Sequence, residues 1–150
     1  MSNTFRNVAL VGHGGTGKTT LAEALLFEAK VTNRLGRVDD KSSGLDHDEE
    51  ERARGYSITS SLARIPWRDK VVHLLDTPGK PDFLGEVAAT MSFVETALVA
   101  VAAPSGPQVN TRNVTKLAES RRRAKVFVVT KIDADNVRAD DIFRKLTDAF

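Results

Sequence analysis

Apolar positions follow two spacings along this chain, and together they predict five strands and four helices. Short apolar runs predict strands at 6–11, 60–67, 71–75, 96–102 and 125–130. Apolar residues three and four positions apart predict helices at 18–29, from about 82 to 94, around 114–123 and at 142–150. Residues 66–70 are predicted to join the second and third strands as a hairpin. This order of elements predicts an α/β fold with a mostly parallel sheet, one hairpin and helices on both faces.

A long polar stretch, 30–54, interrupts the pattern and is predicted to be a loop, because it has little apolar periodicity. Loops of this length in a compact domain usually carry a function or are disordered. The acidic run from Asp46 to Glu51 within it has two interpretations. It could bind a metal ion, but a solvated surface is favoured, since the run lacks the ligand spacing and turn glycine of a cation-binding loop.

The composition is that of one ordinary globular domain, with 41% hydrophobic and 28% charged residues among 150. The chain has no cysteine, which excludes disulfides, thiol catalysis and zinc–thiolate sites. A net charge of +2 gives no indication of nucleic-acid or membrane binding. The longest apolar run, 97–103, is too short to cross a bilayer. Because the start of the chain has no signal-peptide pattern, a cytoplasmic location is expected.

Three consecutive arginines, 121–123, end the third predicted helix. They could contact RNA phosphates. The favoured interpretation is that they complement the partial negative charge of a helix C-terminus and stay solvated. We therefore predict no sequence-specific recognition of nucleic acid and no membrane partner.

The first strand leads into a glycine-rich loop that fits the pattern G-x-x-x-x-G-K-[ST]. Glycines allow successive backbone N–H groups to point at one anion, and the following helix directs its positive end at the same place. The lysine of the pattern can contact the β- and γ-phosphates of a nucleotide, and its hydroxyl residue can bind Mg²⁺. The predicted phosphate-binding residues are Gly12, His13, Gly14, Gly15, Thr16, Gly17, Lys18, Thr19 and Thr20.

The third strand ends in Asp76-Thr77-Pro78-Gly79, which fits D-x-x-G. A carboxylate at this position can hold Mg²⁺ through water, and a glycine can turn its N–H toward a γ-phosphate. The pattern is weak alone but strong after a phosphate-binding loop. It predicts that Asp76 and Gly79 respond to the presence of the γ-phosphate.

The fifth strand ends in Thr130-Lys131-Ile132-Asp133, which fits the [NT]-K-x-D pattern that GTPases use to recognise the base. The carboxylate of Asp133 can accept hydrogen bonds from the ring N–H and the exocyclic amino group of guanine, a donor pair that adenine lacks. The stem of Lys131 can pack over the ring. Thr130, Lys131 and Asp133 are therefore predicted to contact the nucleotide, with GTP and GDP as ligands.

With these motifs assembled, the chain resembles the GTPase domain of bacterial elongation factor G, and more closely the divergent elongation factor G-like proteins. The resemblance rests on GHGGTGKTT at 12–20, EEERARGYSIT at 49–59, DTPGKPDF at 76–83 and TKID at 130–133. It implies a P-loop G domain with GTP-hydrolysing activity and the ribosome as partner. It also implies that Ser57 takes the place of the threonine that closes on Mg²⁺ and the γ-phosphate, so that Thr19, Ser57 and Asp76 form the metal site.

Three residues depart from the family pattern, and two of them, Gly15 and Lys80, bear on hydrolysis. Gly15 replaces a usual aspartate, Thr130 replaces a usual asparagine, and Lys80 follows D-T-P-G where the family has the histidine that positions the attacking water. Lys18, Gly79 and Lys80 are thus the candidates for the catalytic contacts. We expect slow hydrolysis and unimpaired nucleotide binding.

No residues after Asp133 match the small loop with which GTPases recognise the guanine O6, so we expect 1–150 to be the N-terminal GTP-binding domain of a longer protein. Two other interpretations stay open. The chain could be a GTP-binding module with little hydrolysis, or a P-loop kinase for a small acceptor. The kinase interpretation leaves Thr130 to Asp133 without a role.

Overall fold

Five strands form a single sheet in the computed structural model, which describes residues 4–38, 40, 42–45 and 49–150. The strands are β1 (Phe5–Gly12), β2 (Ser61–Trp67), β3 (Lys70–Asp76), β4 (Thr96–Ala102) and β5 (Ala124–Thr130), in the spatial order β2-β3-β1-β4-β5. β1 pairs in parallel with β3 and β4, and β4 pairs in parallel with β5. β2 pairs antiparallel with β3, which confirms the predicted hairpin.

Helices cover both faces of the sheet, as predicted. They are α1 (Lys18–Glu28), α2 (Glu49–Arg54), α3 (Leu84–Thr90), α4 (Val109–Ser120) and α5 (Ala139–Ala149), with a 3₁₀ turn at Pro81–Phe83 before α3. Alternation along β1 separates two cores, because successive side chains of a strand point to opposite faces. Ala9 and Val11 pack in the core shared with α3, α4 and α5, whereas Leu10 packs in the core shared with α1.

Two of the predicted secondary-structure assignments are wrong. Residues 49–54 form a short helix rather than the end of a loop, since glutamate, alanine and arginine are good helix formers and Arg54 pairs with Glu50 one turn away. The second predicted helix is also shorter than expected, because α3 ends at Thr90. Met91 and Val94 are nevertheless buried in the core, so their apolar spacing reports packing rather than helix length.

The arginine triplet caps a helix C-terminus, but the helix is α3 rather than the one that precedes the triplet. Arg121 donates to the carbonyl of Ala88, and Arg123 donates through Nε to the carbonyl of Met91 at 3.0 Å. Orphan carbonyls at the end of a helix are satisfied in this way by cationic side chains. This geometry favours the capping interpretation over phosphate contact.

The acidic run lies partly outside the described residues, since 46–48 belong to the stretch about which the structure gives no description. Elsewhere in the described chain, no three His, Cys, Asp or Glu side chains come together as a metal-binding group. Among the described helices, none is long and apolar enough to cross a membrane.

Candidate functional site

The three predicted motifs meet at one edge of the sheet. β1, β3 and β5 are parallel, so their carboxyl ends lie on the same side, and each is followed by one of the motifs. A cavity of about 490 Å³ opens there. It is lined by Gly14, Gly15, Gly17, Lys18, Thr19, Thr20, Val38, Gly55, Tyr56, Ser57, Gly79, Lys80 and Lys131. Ten of these thirteen residues are among the predicted site residues.

The phosphate-binding loop is held by contacts to the ends of neighbouring strands. A Cβ at Gly12 would lie 2.5 Å from the carbonyl oxygen of Ala100, so β1 can approach β4 this closely only with glycine. Within the loop, the hydroxyl of Thr16 donates to the carbonyl of His13 at 2.9 Å. The hydroxyl of Thr130 donates to the carbonyl of Thr16 at 2.7 Å, which ties the end of β5 to the loop.

Lys18 places a positive charge inside this loop. Its side chain is almost fully buried, and its Nζ donates to the carbonyl of His13 at 3.1 Å. Burial lowers the pKa of Lys18, and the charge of Asp76 partly opposes that effect. An ammonium has three donors, so the bond to His13 leaves this group able to donate to an anionic ligand such as a phosphate.

Three oxygen atoms from separate parts of the chain come together beside Lys18. The hydroxyl of Thr19 donates to Asp76 Oδ2 at 2.6 Å, and Ser57 Oγ lies 3.4 Å from Thr19 Oγ1. Hard oxygen donors such as these suit Mg²⁺, which takes few protein ligands and completes its shell with waters and phosphates. The set therefore fits the predicted metal site.

Gly79 is packed directly against the phosphate-binding loop. A Cβ at this position would lie 2.4 Å from Lys18 Nζ and 2.7 Å from the Cα of Gly14, so no other residue fits without displacing the loop. On its other side, the carbonyl of Gly79 accepts a hydrogen bond of 2.8 Å from Asn110 Nδ2. The backbone after β3 thus contacts the part of the loop that is predicted to hold the phosphates.

Lys80 extends from this backbone toward the segment that contains Ser57. Its Nζ lies 3.4 Å from the centroid of the Tyr56 ring, a cation–π contact. The hydroxyl of Tyr56 accepts a hydrogen bond from Arg54 Nη1 at 3.1 Å. Hydrogen bonds from Arg54, and next from Lys80, lower the pKa of Tyr56.

The predicted base-recognition segment, 130–133, lies only partly within the site. Lys131 lines the cavity and has a φ of 54°. Asp133, two residues further along, is exposed and does not line the cavity. Thr130 therefore bonds to the phosphate-binding loop and Lys131 lines the cavity, whereas Asp133 lies outside the cavity.

Two buried carboxylates hold the segments around the site, and neither was predicted. Glu23 Oε1 on α1 accepts hydrogen bonds from Ser43 Oγ and from the N–H groups of Gly44 and Leu45. Glu51 Oε1 accepts from the N–H groups of Ile58 and Thr59. The sequence held one indication of Glu23, since it is a charged residue next to Ala22 on the inward face of α1. It held none of Glu51, because that residue lies within the acidic run 46–51.

A protein-family model described as "Elongation factor Tu GTP binding domain" matches residues 3–150 of this chain. The large ribosomal subunit assembly factor BipA of Salmonella typhimurium is 34% identical over all 150 residues, which span 24% of that relative. The mitochondrial ribosome-releasing factor 2 of Schizosaccharomyces pombe is 35% identical over 131 residues, covering 87% of this chain and 16% of the relative.

A similar structure has also been solved by crystallography, for a protein of Thermus thermophilus. The two chains are 36% identical and superpose with a TM-score of 0.93, covering 98% of this chain and 22% of the other. This chain thus spans about a quarter or less of the length of these relatives.

Proposed function

This chain belongs to the elongation factor Tu GTP-binding domain family, as its motifs predicted, and we propose that it acts as an Mg²⁺-dependent GTP/GDP switch in a translation-factor-like protein on the ribosome. The observation that supports the switch most directly is the contact of two loops with the phosphate-binding loop. Gly79 packs on Gly14, and Ser57 lies beside Thr19. The ribosome is proposed as partner because relatives are named for ribosome assembly and ribosome release.

We assign the roles within this proposal from position. The loop from Gly12 to Thr20 surrounds the phosphates, with Lys18 on the β- and γ-phosphates. Thr19, Ser57 and Asp76 would hold Mg²⁺, which would neutralise phosphate charge. Lys131 and Asp133 would recognise the guanine.

One assay tests the proposal against its alternatives. Purified protein is incubated with GTP or ATP, with and without ribosomes, while released phosphate and phosphate transferred to small acceptors are both measured. A GTP switch releases phosphate from GTP alone and transfers none. Transfer of phosphate from ATP to a small acceptor would favour a kinase, and tight GTP binding with no release would favour a binding module.

Ser57→Ala is expected to weaken binding of the GTP analogue GppNHp while sparing GDP, because only the triphosphate closes this segment on the metal site. Loss of one hydroxyl contact corresponds to roughly a tenfold change in affinity. Fluorescence titration with both nucleotides measures the effect. Ser60→Ala is the matched control, since its hydroxyl pairs with Thr90 at 3.0 Å, outside the cavity. Equal losses for both nucleotides would assign Ser57 a structural role instead.

Lys80→His is expected to raise ribosome-stimulated GTP hydrolysis by at least about tenfold, which is less than the roughly 10²–10⁴-fold that a positioned general acid or base contributes. A charged lysine has three donors and no acceptor, whereas a neutral imidazole can accept a hydrogen bond from the attacking water. Lys80→Arg is the control, because it keeps the charge over Tyr56 and adds no acceptor. Turnover is measured as phosphate release at saturating GTP. Rapid turnover by the unaltered protein on ribosomes would contradict the prediction.

Gly15 is the second departure that bears on hydrolysis, so the histidine variant is also combined with Gly15→Asp. A Cβ at Gly15 would meet no atom within 4 Å, although its φ of +75° is unfavourable for most side chains. Aspartate adopts this region at lower cost than most residues. A gain in the double variant alone would identify Gly15 as the larger defect.

A further inference from the structure

Asn110 is a fully buried amide on α4 that directly contacts the loop proposed to sense the γ-phosphate. Its Nδ2 donates to the carbonyl of Gly79 at 2.8 Å, across 31 residues of sequence. The start of α4 is itself fixed, because the N–H of Gln108 and the hydroxyl of Thr111 form a capping bond of 3.2 Å. The amide is therefore presented to the loop from a rigid support.

The other polar atom of this amide is unsatisfied. Asn110 Oδ1 is buried, and no donor from the described part of the chain lies within hydrogen-bonding distance of it. Buried polar atoms are normally paired, and leaving one unpaired is costly. A side chain that merely filled space here would be apolar, so the surplus acceptor calls for a partner in another arrangement of the loop.

The Gly79–Lys80 peptide can supply that partner by rotating. A trans peptide is planar, so its C=O and N–H point in opposite directions. Rotation of this peptide would turn the carbonyl away from Asn110 and bring the N–H of Lys80 toward it, and Oδ1 can accept this N–H once the side-chain amide turns about its Cβ–Cγ bond. Pro78 and Pro81 restrict the chain on both sides, so the rotation is concentrated at Gly79, whose backbone is the least restricted.

The orientation in this structure belongs to the closed arrangement. Gly79 is packed against Gly14 and Lys18, and Ser57 lies beside Thr19, so both segments lie against the phosphate-binding loop, which is the arrangement that the proposed switch assigns to the triphosphate. The Nδ2 bond therefore stabilises the closed form, and the Oδ1 acceptor is available to the rotated form.

We infer that Asn110 is a positioning residue that sets the orientation of the Gly79–Lys80 peptide and thereby contributes to discrimination between triphosphate and diphosphate. This inference rests on the proposed GTP switch. It assigns to α4 a role that none of the three nucleotide-binding motifs includes.

Asn110→Asp and Asn110→Leu test the inference, with affinities for GppNHp and GDP measured on each variant. The aspartate variant has nearly the same shape but, when ionised, can only accept, so it favours the rotated peptide. We expect its ratio of GppNHp to GDP dissociation constants to rise roughly five- to fiftyfold. The leucine variant loses the bond of each arrangement, so its ratio is expected to change less than that of the aspartate variant.

Thr115→Val is the matched control on the same helix. Thr115 is equally buried and donates to the carbonyl of Thr111 inside the helix, without touching the loop. Its ratio should stay within about twofold of the unaltered chain even if its thermal stability falls. An unchanged ratio in both Asn110 variants would overturn the inference, whereas failure of the unaltered chain to bind either nucleotide would overturn the proposed switch.

A measurement on the unaltered chain covers the case in which the variants do not fold. The side-chain amide signals of Asn110 and the backbone amide signal of Lys80 are followed by NMR as GDP is replaced with GppNHp. Both sets are expected to shift, because the hydrogen-bond partner of the amide changes. Unchanged Asn110 signals alongside shifted signals from the phosphate-binding loop would overturn the inference while leaving the switch intact.

Discussion

Lys18→Ala is expected to abolish binding of both GTP and GDP, a loss of about a hundredfold or more in affinity, since two charge-assisted phosphate contacts are lost at roughly 1.5–3 kcal/mol each. The ammonium is the cation buried within the phosphate-binding loop, and it already donates to the carbonyl of His13. Its removal takes this buried positive charge away from the place that the phosphates would occupy. Nucleotide titration by fluorescence or calorimetry measures the loss.

The controls for this prediction separate charge from packing. Lys18→Met keeps most of the stem, so the loop stays filled while the charge is lost, and binding should fall as far as in the alanine variant. Since burial lowers the pKa of Lys18, charging this lysine costs free energy in the empty protein. The methionine variant should therefore unfold at no lower temperature than the unaltered chain without nucleotide.

Lys116→Ala, on an exposed turn of α4, should leave binding unchanged. GDP affinity that survives in both Lys18 variants would remove the assignment of 12–20 as the phosphate-binding loop.

Local patterns in the sequence were sufficient to predict the sheet, because alternation and short apolar runs report burial directly. The run 96–102 became the strand β4 inside the sheet, and the hairpin between β2 and β3 followed from Pro66 and its polar neighbours. The motifs at 12–20, 76–79 and 130–133 have fixed spacings and follow strand ends, so their meeting at one edge of the sheet followed from the fold class.

Contacts between residues distant in sequence were not predictable in this way. Asn110 lies ahead of the third predicted helix, around 114–123, and had no predicted role, and only the fold brings it to Gly79. Glu51 lay inside an acidic run whose favoured interpretation was a solvated surface, yet it is buried and accepts the N–H groups that precede β2. Tyr56 lies in the stretch 49–59 that carries the family resemblance but was assigned no role, and its contact with Lys80 depends on two loops folding together.

Asp133→Asn is expected to exchange GTP for xanthosine triphosphate as the preferred ligand. The carboxylate of Asp133 presents two acceptors to the two guanine donors, and its exposure in this structure leaves it accessible to a base. Where the bound base buries such a pair of hydrogen bonds, the site rejects analogues lacking the two donors by roughly 10⁴-fold, because the carboxylate is then left unpaired. The asparagine variant replaces one acceptor with a donor, and xanthine carries a carbonyl where guanine carries its amino group.

Competition titrations with GTP, ATP and xanthosine triphosphate measure this change of preference. Asp135→Asn is the matched control, because Asp135 is nearby, only two residues along the chain, so the same loss of charge there should leave the preference for GTP intact. If the Asp133 variant keeps its preference for GTP, or if the unaltered chain binds ATP as tightly as GTP, Asp133 does not recognise the base. The chain would then have a phosphate-binding loop but no residue assigned to recognise guanine, and the kinase interpretation would become the stronger one.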